Sequence, residues 1–220
     1  MDKQNDLLLK LIVLGESHVG KTSLLLRYCS NSFAPKSAPT IGLDINTMDR
    51  HKGSYRVKVQ LWDTAGQERF RSTTQSYFKT GDGAFLVYDV SNRKSFAQTR
   101  SWLEELKKHN DKDISVMLIG NKTDLIEERE VPFKEAEIFA RSNGLFFWET
   151  SAKDNNDDCV KKAFDQLIDN CIDQVIKTEE QMKLEQETGN DEERVTRVIN
   201  RNVDIGDIPA PIATKKKCCS

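Results

Sequence analysis

Nothing in this 220-residue chain is apolar for long enough to cross a bilayer; no run approaches the ~20 residues that a helical span needs. The first ten residues, "MDKQNDLLLK", do not read as a secretory signal, because Lys10 interrupts the apolar stretch and no small-residue cleavage site follows. Asp2 stands where N-myristoylation requires glycine. Charge of one sign is also missing. The formal net charge is -2, so no basic field argues for nucleic acid, and no nucleic-acid partner is expected. Cysteine is sparse and irregular: Cys29, Cys159, Cys171, Cys218 and Cys219 match neither a disulfide framework nor a zinc ligand set. The first three are expected to be small half-buried thiols in a reducing cytosol.

What is present is an alternation of apolar runs. "KLIVLG" (10–15) reads as a short buried strand, and "GKTSLLLRYCS" opens a helix. "IGLDINTMD" and "YRVKVQLWD" alternate polar and apolar residues around Lys52-Gly53, a hairpin signal. "GAFLVYDV" (83–90), "SVMLIGNK" (115–122) and "LFFWETS" (145–151) are nearly continuous apolar runs, as expected of strands covered on both faces. Between them, Phe96, Thr99, Trp102, Leu103 and Leu106 share one helical face over 93–109. A helix should start at Pro132 and stop at Gly144. Another, over about 156–176, carries Val160, Phe164, Leu167, Ile168, Cys171, Ile172 and Val175 at spacings of three or four. The pattern predicts an α/β domain over residues 1–176 with a mostly parallel sheet. Residues 177–220 are polar, acidic at first and poor in aromatics, and read as a flexible tail that starts helical.

"GESHVGKT" (15–22) fits G-x-x-x-x-G-K-S/T, and it lies between a predicted strand and a predicted helix, the context that motif requires. Gly15 and Gly20 allow a tight turn whose N–H groups face phosphate oxygens. Lys21 reaches the β- and γ-phosphates, and the Thr22 hydroxyl is a ligand for Mg²⁺. ATPases and nucleotide kinases use the same loop, so a second motif must select the base. "NKTD" (121–124) ends an apolar strand, where open α/β sheets bind ligands. Guanine offers two neighbouring donors, N1–H and the 2-amino group. The Asp124 carboxylate accepts both, while Asn121 and Lys122 hold the loop and cover the base. "TSAK" (150–153) follows the next strand, and a backbone N–H near Ala152 is placed to meet guanine O6. In "WDTAGQERF" (62–70), Asp63 ends a strand and holds Mg²⁺ through water, Gly66 offers an N–H to the γ-phosphate, and Gln67 orients the attacking water.

Together with "TIG" (40–42) and "GAFLVYDV", these motifs resemble the small GTPases of the Ras superfamily, specifically the Rab branch, over roughly residues 7–176 and the extreme C-terminus. The resemblance implies a P-loop G domain, a six-stranded mostly parallel sheet with helices on both faces. It implies GTP or GDP as bound nucleotide with Mg²⁺, held by Gly15, Ser17, His18, Val19, Gly20, Lys21, Thr22, Ser23, Phe33, Thr40, Gly66, Asn121, Lys122, Asp124, Ser151, Ala152 and Lys153. Thr22, Thr40 and Asp63 would serve the metal; Lys21, Thr40 and Gln67 would serve hydrolysis. Phe33 would cover the guanine. Implied partners are an exchange factor, a GTPase-activating protein, effectors, a GDP-dissociation inhibitor and a prenylation escort, at the cytoplasmic face of an intracellular membrane in exchange with the cytosol. The effector surface would comprise Ile41, Gly42, Ile45, Trp62 and Tyr77, with Ile45 standing where Rabs usually carry phenylalanine. Thr80-Gly81-Asp82 looks inserted relative to the family pattern. Ser17 and His18 replace glycines of several relatives, which keeps open a nucleotide-locked binding module with negligible hydrolysis.

The last seven residues, "TKKKCCS", are not a C-a-a-X box. They resemble the double-cysteine Rab endings that receive two geranylgeranyl groups on residues here numbered Cys218 and Cys219. Idle thiols, palmitoylation and metal capture are the other readings of that pair.

Overall fold

The computed structural model describes residues 5–35, 40, 42–65, 77–110, 112, 114–154 and 158–201, with side chains through residue 184. The chain divides into two compact units, Met1–Ile176 and Lys177–Ser220. In the first, six strands form one sheet in the order β2-β3-β1-β4-β5-β6. The strands are β1 Asn5–Leu14, β2 Leu43–Lys52, β3 Tyr55–Thr64, β4 Gly83–Asp89, β5 Ser115–Asn121 and β6 Phe146–Glu149. Only β2 runs antiparallel, joined to β3 by a hairpin in which Gly53 takes the positive φ of 57° that the turn requires. The helices are α1 Lys21–Ser30, α2 Arg93–His109, α3 Phe133–Ser142 and α4 Cys159–Arg201.

Side chains alternate across a strand, so β1 feeds both faces of the sheet. Leu9, Leu11 and Val13 enter one core with Leu24 and Leu25 of α1 and Val160, Phe164, Leu167 and Ile168 of α4. Ile12 and Leu14 enter the other with Phe96, Trp102, Leu103 and Leu106 of α2 and Ala136 and Ala140 of α3. Every residue of β4 is buried, as its apolar run requires, because helices cover both of its faces. Burying each of its large side chains is worth about 1.5–3 kcal/mol. At the centre of the first core, Phe164 is stacked between Phe85, at 4.2 Å between ring centroids, and Tyr28, at 4.7 Å.

Several expectations change. β1 begins five residues earlier than "KLIVLG" suggests, because Asn5 through Val13 pair with β3 in parallel register. β6 is four residues long and only half-buried, since it is the sheet edge and pairs with β5 alone; Phe146 and Trp148 pack on the first core and Phe147 on the second, so its apolar run still meets both. The three described cysteines are not alike: Cys29 is exposed, Cys159 intermediate and Cys171 buried. Burial pushes the Cys171 thiol up to about 12.

Pro132 caps α3 rather than occupying its first turn, and Gly144 follows its end with φ of 70°. In the second unit the described chain is helix through Arg201, with Met182 and Leu184 exposed. No helix among the described residues is long and apolar enough to cross a membrane.

Candidate functional site

β1 is flanked by β3 on one side and β4 on the other, while the chain's crossovers leave it in opposite directions. The crevice beyond the carboxyl ends of the strands at such a point is where open α/β sheets take ligands. Gly15, Glu16, Ser17, His18, Val19 and Gly20 form the loop there, and Lys21, Thr22 and Ser23 form the first turn of α1. The loop is tight. A Cβ on Gly15 would lie 2.2 Å from the Val87 carbonyl oxygen, and Gly15 holds φ of 140°. α1 starts without a side-chain cap and without an acidic residue in its first turn, leaving its positive end to an anion.

Lys21 is 6% exposed. Its Nζ donates to the carbonyls of Gly15 at 2.9 Å and Glu16 at 3.0 Å. Burial pushes its ammonium down to about 8, against the pull of the Asp63 and Glu16 carboxylates. Such a partly desolvated cation is strongly favoured by an incoming polyphosphate. Glu16 is itself tied down: the Trp102 indole of α2 donates to its Oε1 at 3.1 Å. His18 takes φ of 65° and is exposed.

Three oxygen-bearing side chains converge beside this loop. Thr22 Oγ1 donates to Asp63 Oδ2 at 2.6 Å and lies 2.8 Å from Thr40 Oγ1, which is 3.3 Å from the same carboxylate oxygen. Asp63 is 1% exposed, and its Oδ1 is buried without a hydrogen-bond partner. Burial pushes its carboxyl up, opposed by the Thr22 and Thr40 hydroxyls and the Lys21 charge. An unpartnered buried carboxylate oxygen is costly unless something cationic completes it. The donors are all oxygen, the set that a hard divalent cation takes. Close by, the Ala65 N–H donates to the Gly42 carbonyl at 3.0 Å, joining the segments that follow Thr40 and Asp63.

At the ends of β5 and β6 a second cluster forms. Asn121 Nδ2 donates to the Val19 carbonyl at 2.8 Å, and Asn121 Oδ1 accepts the Ala152 N–H at 3.1 Å. One amide therefore joins the phosphate loop, "NKTD" and "TSAK". The Ala152 N–H, expected near a base oxygen, is thus engaged by Asn121. Asp124 Oδ1 accepts from Ser151 Oγ at 2.6 Å, and Lys153 Nζ lies 3.5 Å from Oδ2. Lys122 has φ of 68°, and its Nζ pairs with Asp89 at 2.6 Å. Phe33 packs half-buried against the first core beyond α1.

On the outer face of β2 and β3, Ile45 is 45% exposed and directly opposite Trp62, whose ring meets Tyr77 edge-on at 5.3 Å. Ile41, Gly66, Gln67, Cys218 and Cys219 lie outside the described residues. Sequence reasoning missed Asp89, Trp102 and Arg27 as site residues. A lone carboxylate closing the apolar β4 run was the available signal for Asp89. Trp102 was read only as core, and the Arg27 guanidinium, which reaches the Ala152 carbonyl at 2.8 Å, had no signal in spacing. The inserted-looking segment is integrated: Asn110 Nδ2 donates to the carbonyls of Phe78 and Gly81 at 2.6 and 3.0 Å, and Asp82 Oδ2 accepts the Lys10 N–H at 3.0 Å.

A six-stranded α/β sheet with a G-x-x-x-x-G-K-T loop at its switch point, between a strand and a helix, and the "NKTD" loop two strands away has the architecture of a P-loop protein. Residues 10–173 match the model of the Ras family. The chain is 38% identical over 218 residues to Ras-related protein Rab-25 of Mus musculus, covering 99% of this chain and 96% of that protein. It is 39% identical to Ras-related protein Rab11D of Nicotiana tabacum, covering 98% and 94%. With Ras-related protein RABA5a of Arabidopsis thaliana the identity is 43%, over 76% and 75%. The chain belongs to the Ras family of small GTPases, in its Rab branch.

Proposed function

We propose that the protein is a guanine-nucleotide switch that binds GTP and GDP with Mg²⁺, hydrolyses GTP slowly and recruits effectors in vesicle traffic while its GTP form persists. The observation that carries this reading is the convergence of Thr22, Thr40 and the half-satisfied Asp63 carboxylate beside Lys21. Thr22, Thr40 and Asp63 would hold Mg²⁺, which would supply positive charge to offset that of the phosphates. The remaining work falls to the chain. Lys21 and the start of α1 hold the polyphosphate. Asp124 reads guanine, with Asn121 fixing its loop to the phosphate loop. Gln67 orients a water that attacks the γ-phosphorus, the bond to the β–γ bridging oxygen breaks, and GDP and inorganic phosphate result. Thr40 and Gly66 contact the γ-phosphate, so the loops bearing them are ordered by GTP and released after hydrolysis.

No arginine motif is supplied in cis, so an activating protein's arginine would raise the rate by about 10³–10⁵. An exchange factor resets the switch, and effectors read the face formed by Ile41, Gly42, Ile45, Trp62 and Tyr77. Single-turnover GTP hydrolysis, compared with a Gln67→Leu control, tests the reading. Hydrolysis by the native chain above the control is expected. Equality, with and without activating proteins, would leave the nucleotide-locked module that Ser17 and His18 suggested. The exposed side chain of His18 supports the hydrolysing form.

The tail is the membrane anchor in this proposal. Cys218 and Cys219 carry two prenyl groups, delivered by the escort and extracted by the dissociation inhibitor. One chain binds marginally, and two anchor stably. Lys215, Lys216 and Lys217 each add about 1 kcal/mol at an anionic cytoplasmic leaflet. An N-terminally tagged chain should mark an intracellular membrane, and Cys218→Ser/Cys219→Ser should leave it diffuse; equal distributions would remove the anchor.

A further inference from the structure

We infer that Arg27 is a positioning residue for the guanine site, setting how long the nucleotide stays bound and how well guanine is told from a base lacking its 2-amino group. The inference rests on the guanine reading of Asp124. Arg27 lies in the last turn of α1, away from the phosphates, and its guanidinium is shared among three places. Nε donates to the Ala152 carbonyl at 2.8 Å, and Nη2 to the Lys153 carbonyl at 3.3 Å. Nη1 donates to Asn31, to its carbonyl at 2.9 Å and its Oδ1 at 3.2 Å.

Residue 152 is therefore held through both of its backbone polar groups. Asn121 takes its N–H from one side and Arg27 takes its C=O from the other. The loop so clamped is the one that positions the base reader, because Ser151 donates to Asp124 at 2.6 Å and Lys153 approaches it at 3.5 Å. Only a planar fork with several donors can span Asn31 and two consecutive carbonyls; a lysine at this position retains one point contact. Asn31 is the left-handed C-cap of α1, with φ of 49°, two residues before Phe33. Arg27 thus also joins the exit of α1 towards Phe33 to the base loop. Through it, the helix that begins at the phosphates ends at the guanine.

Loss of charge-assisted bonds of this kind loosens the loop without touching the nucleotide. Guanosine diphosphate then loses part of its second bond to Asp124. Inosine diphosphate, which has no 2-amino group, never makes that bond. The full chain carrying fluorescent guanosine, inosine or adenosine diphosphate is chased with excess unlabelled GDP, and release rates are compared for native protein, Arg27→Gln and Arg27→Lys. Arg27→Gln should release GDP about tenfold faster, with Arg27→Lys between it and the native protein. The factor by which inosine diphosphate leaves faster than GDP should narrow in the same order. Release of both nucleotides accelerated equally, with that factor unchanged, would mean that Arg27 is merely structural and overturn the inference. So would GDP release within about twofold of native. If Arg27→Gln does not fold, the same factor in Arg27→Lys decides. Native protein that releases GDP as fast as adenosine diphosphate overturns the guanine reading itself, and this inference with it.

Discussion

Replacing Asp124 with asparagine should exchange the base that the protein prefers. A carboxylate only accepts hydrogen bonds, and guanine presents two adjacent donors to it. An amide of the same shape turns one acceptor into a donor, which then faces the 2-amino group donor to donor. Xanthine carries an oxygen at that position and accepts instead. Asp124 Oδ1 already receives the Ser151 hydroxyl at 2.6 Å, a bond that the asparagine oxygen can keep, so the loop need not rearrange. Sites built to hydrogen-bond a particular group reject a mismatched analogue by about 10⁴–10⁵. Allowing for partial adjustment, GDP affinity should fall by about 10³-fold, and xanthosine diphosphate should gain by a comparable factor. Competition against a fluorescent guanosine diphosphate measures both. An unchanged preference would remove Asp124 from the base site.

The second large effect concerns a glycine. A Cβ on Gly20 would lie 2.2 Å from Asn121 Nδ2, at a residue whose φ is 96°. The amide would have to swing away, giving up the Val19 carbonyl and the Ala152 N–H together. Gly20→Ala therefore disconnects the phosphate loop from the base loops. The expected cost is about 2–4 kcal/mol of stability, from backbone strain and lost buried hydrogen bonds. Nucleotide affinity should fall by about 10²-fold, since each 1.4 kcal/mol lost at the site is a factor of ten. Gly144 supplies the comparison. It has φ of 70° with nothing within 4 Å of its built Cβ, so Gly144→Ala carries the strain alone, about 1–2 kcal/mol, and leaves nucleotide affinity unchanged. Urea unfolding and nucleotide titration of the two variants separate collision from strain. Equal nucleotide affinities would contradict the role given to Asn121.

Motifs whose chemistry is local were legible in the sequence. "GESHVGKT" needs a strand before it and a helix after it, and β1 and α1 supply them. Continuous apolar runs identified β4 and β5 because strands covered on both faces have no polar side to show. The run of Phe146, Phe147 and Trp148 likewise marked β6, which packs on both cores, but its half-burial was not legible, because edge position is a property of pairing, which periodicity does not carry. The early start of β1 was hidden similarly, since Asn5 and Asp6 are polar residues that join the strand by backbone pairing with β3, which the apolar pattern does not record. Asn121 was foreseen as a loop holder, but not that one amide would bind two loops at 2.8 and 3.1 Å. Arg27 was invisible, because its contacts with Ala152 and Lys153 span 125 and 126 positions in the chain and depend on how α1 lies against the sheet.

The central claim is that the crevice is a guanine-nucleotide site that uses a divalent cation. The most direct measurement is a competition series, GDP against adenosine diphosphate, on the full chain with Mg²⁺ and again after chelation. The account predicts a preference for GDP of about 10³ or more, given the two-donor reading of Asp124, and faster GDP release once Mg²⁺ is removed. Adenosine diphosphate competing on equal terms, or GDP release indifferent to chelation, would contradict it.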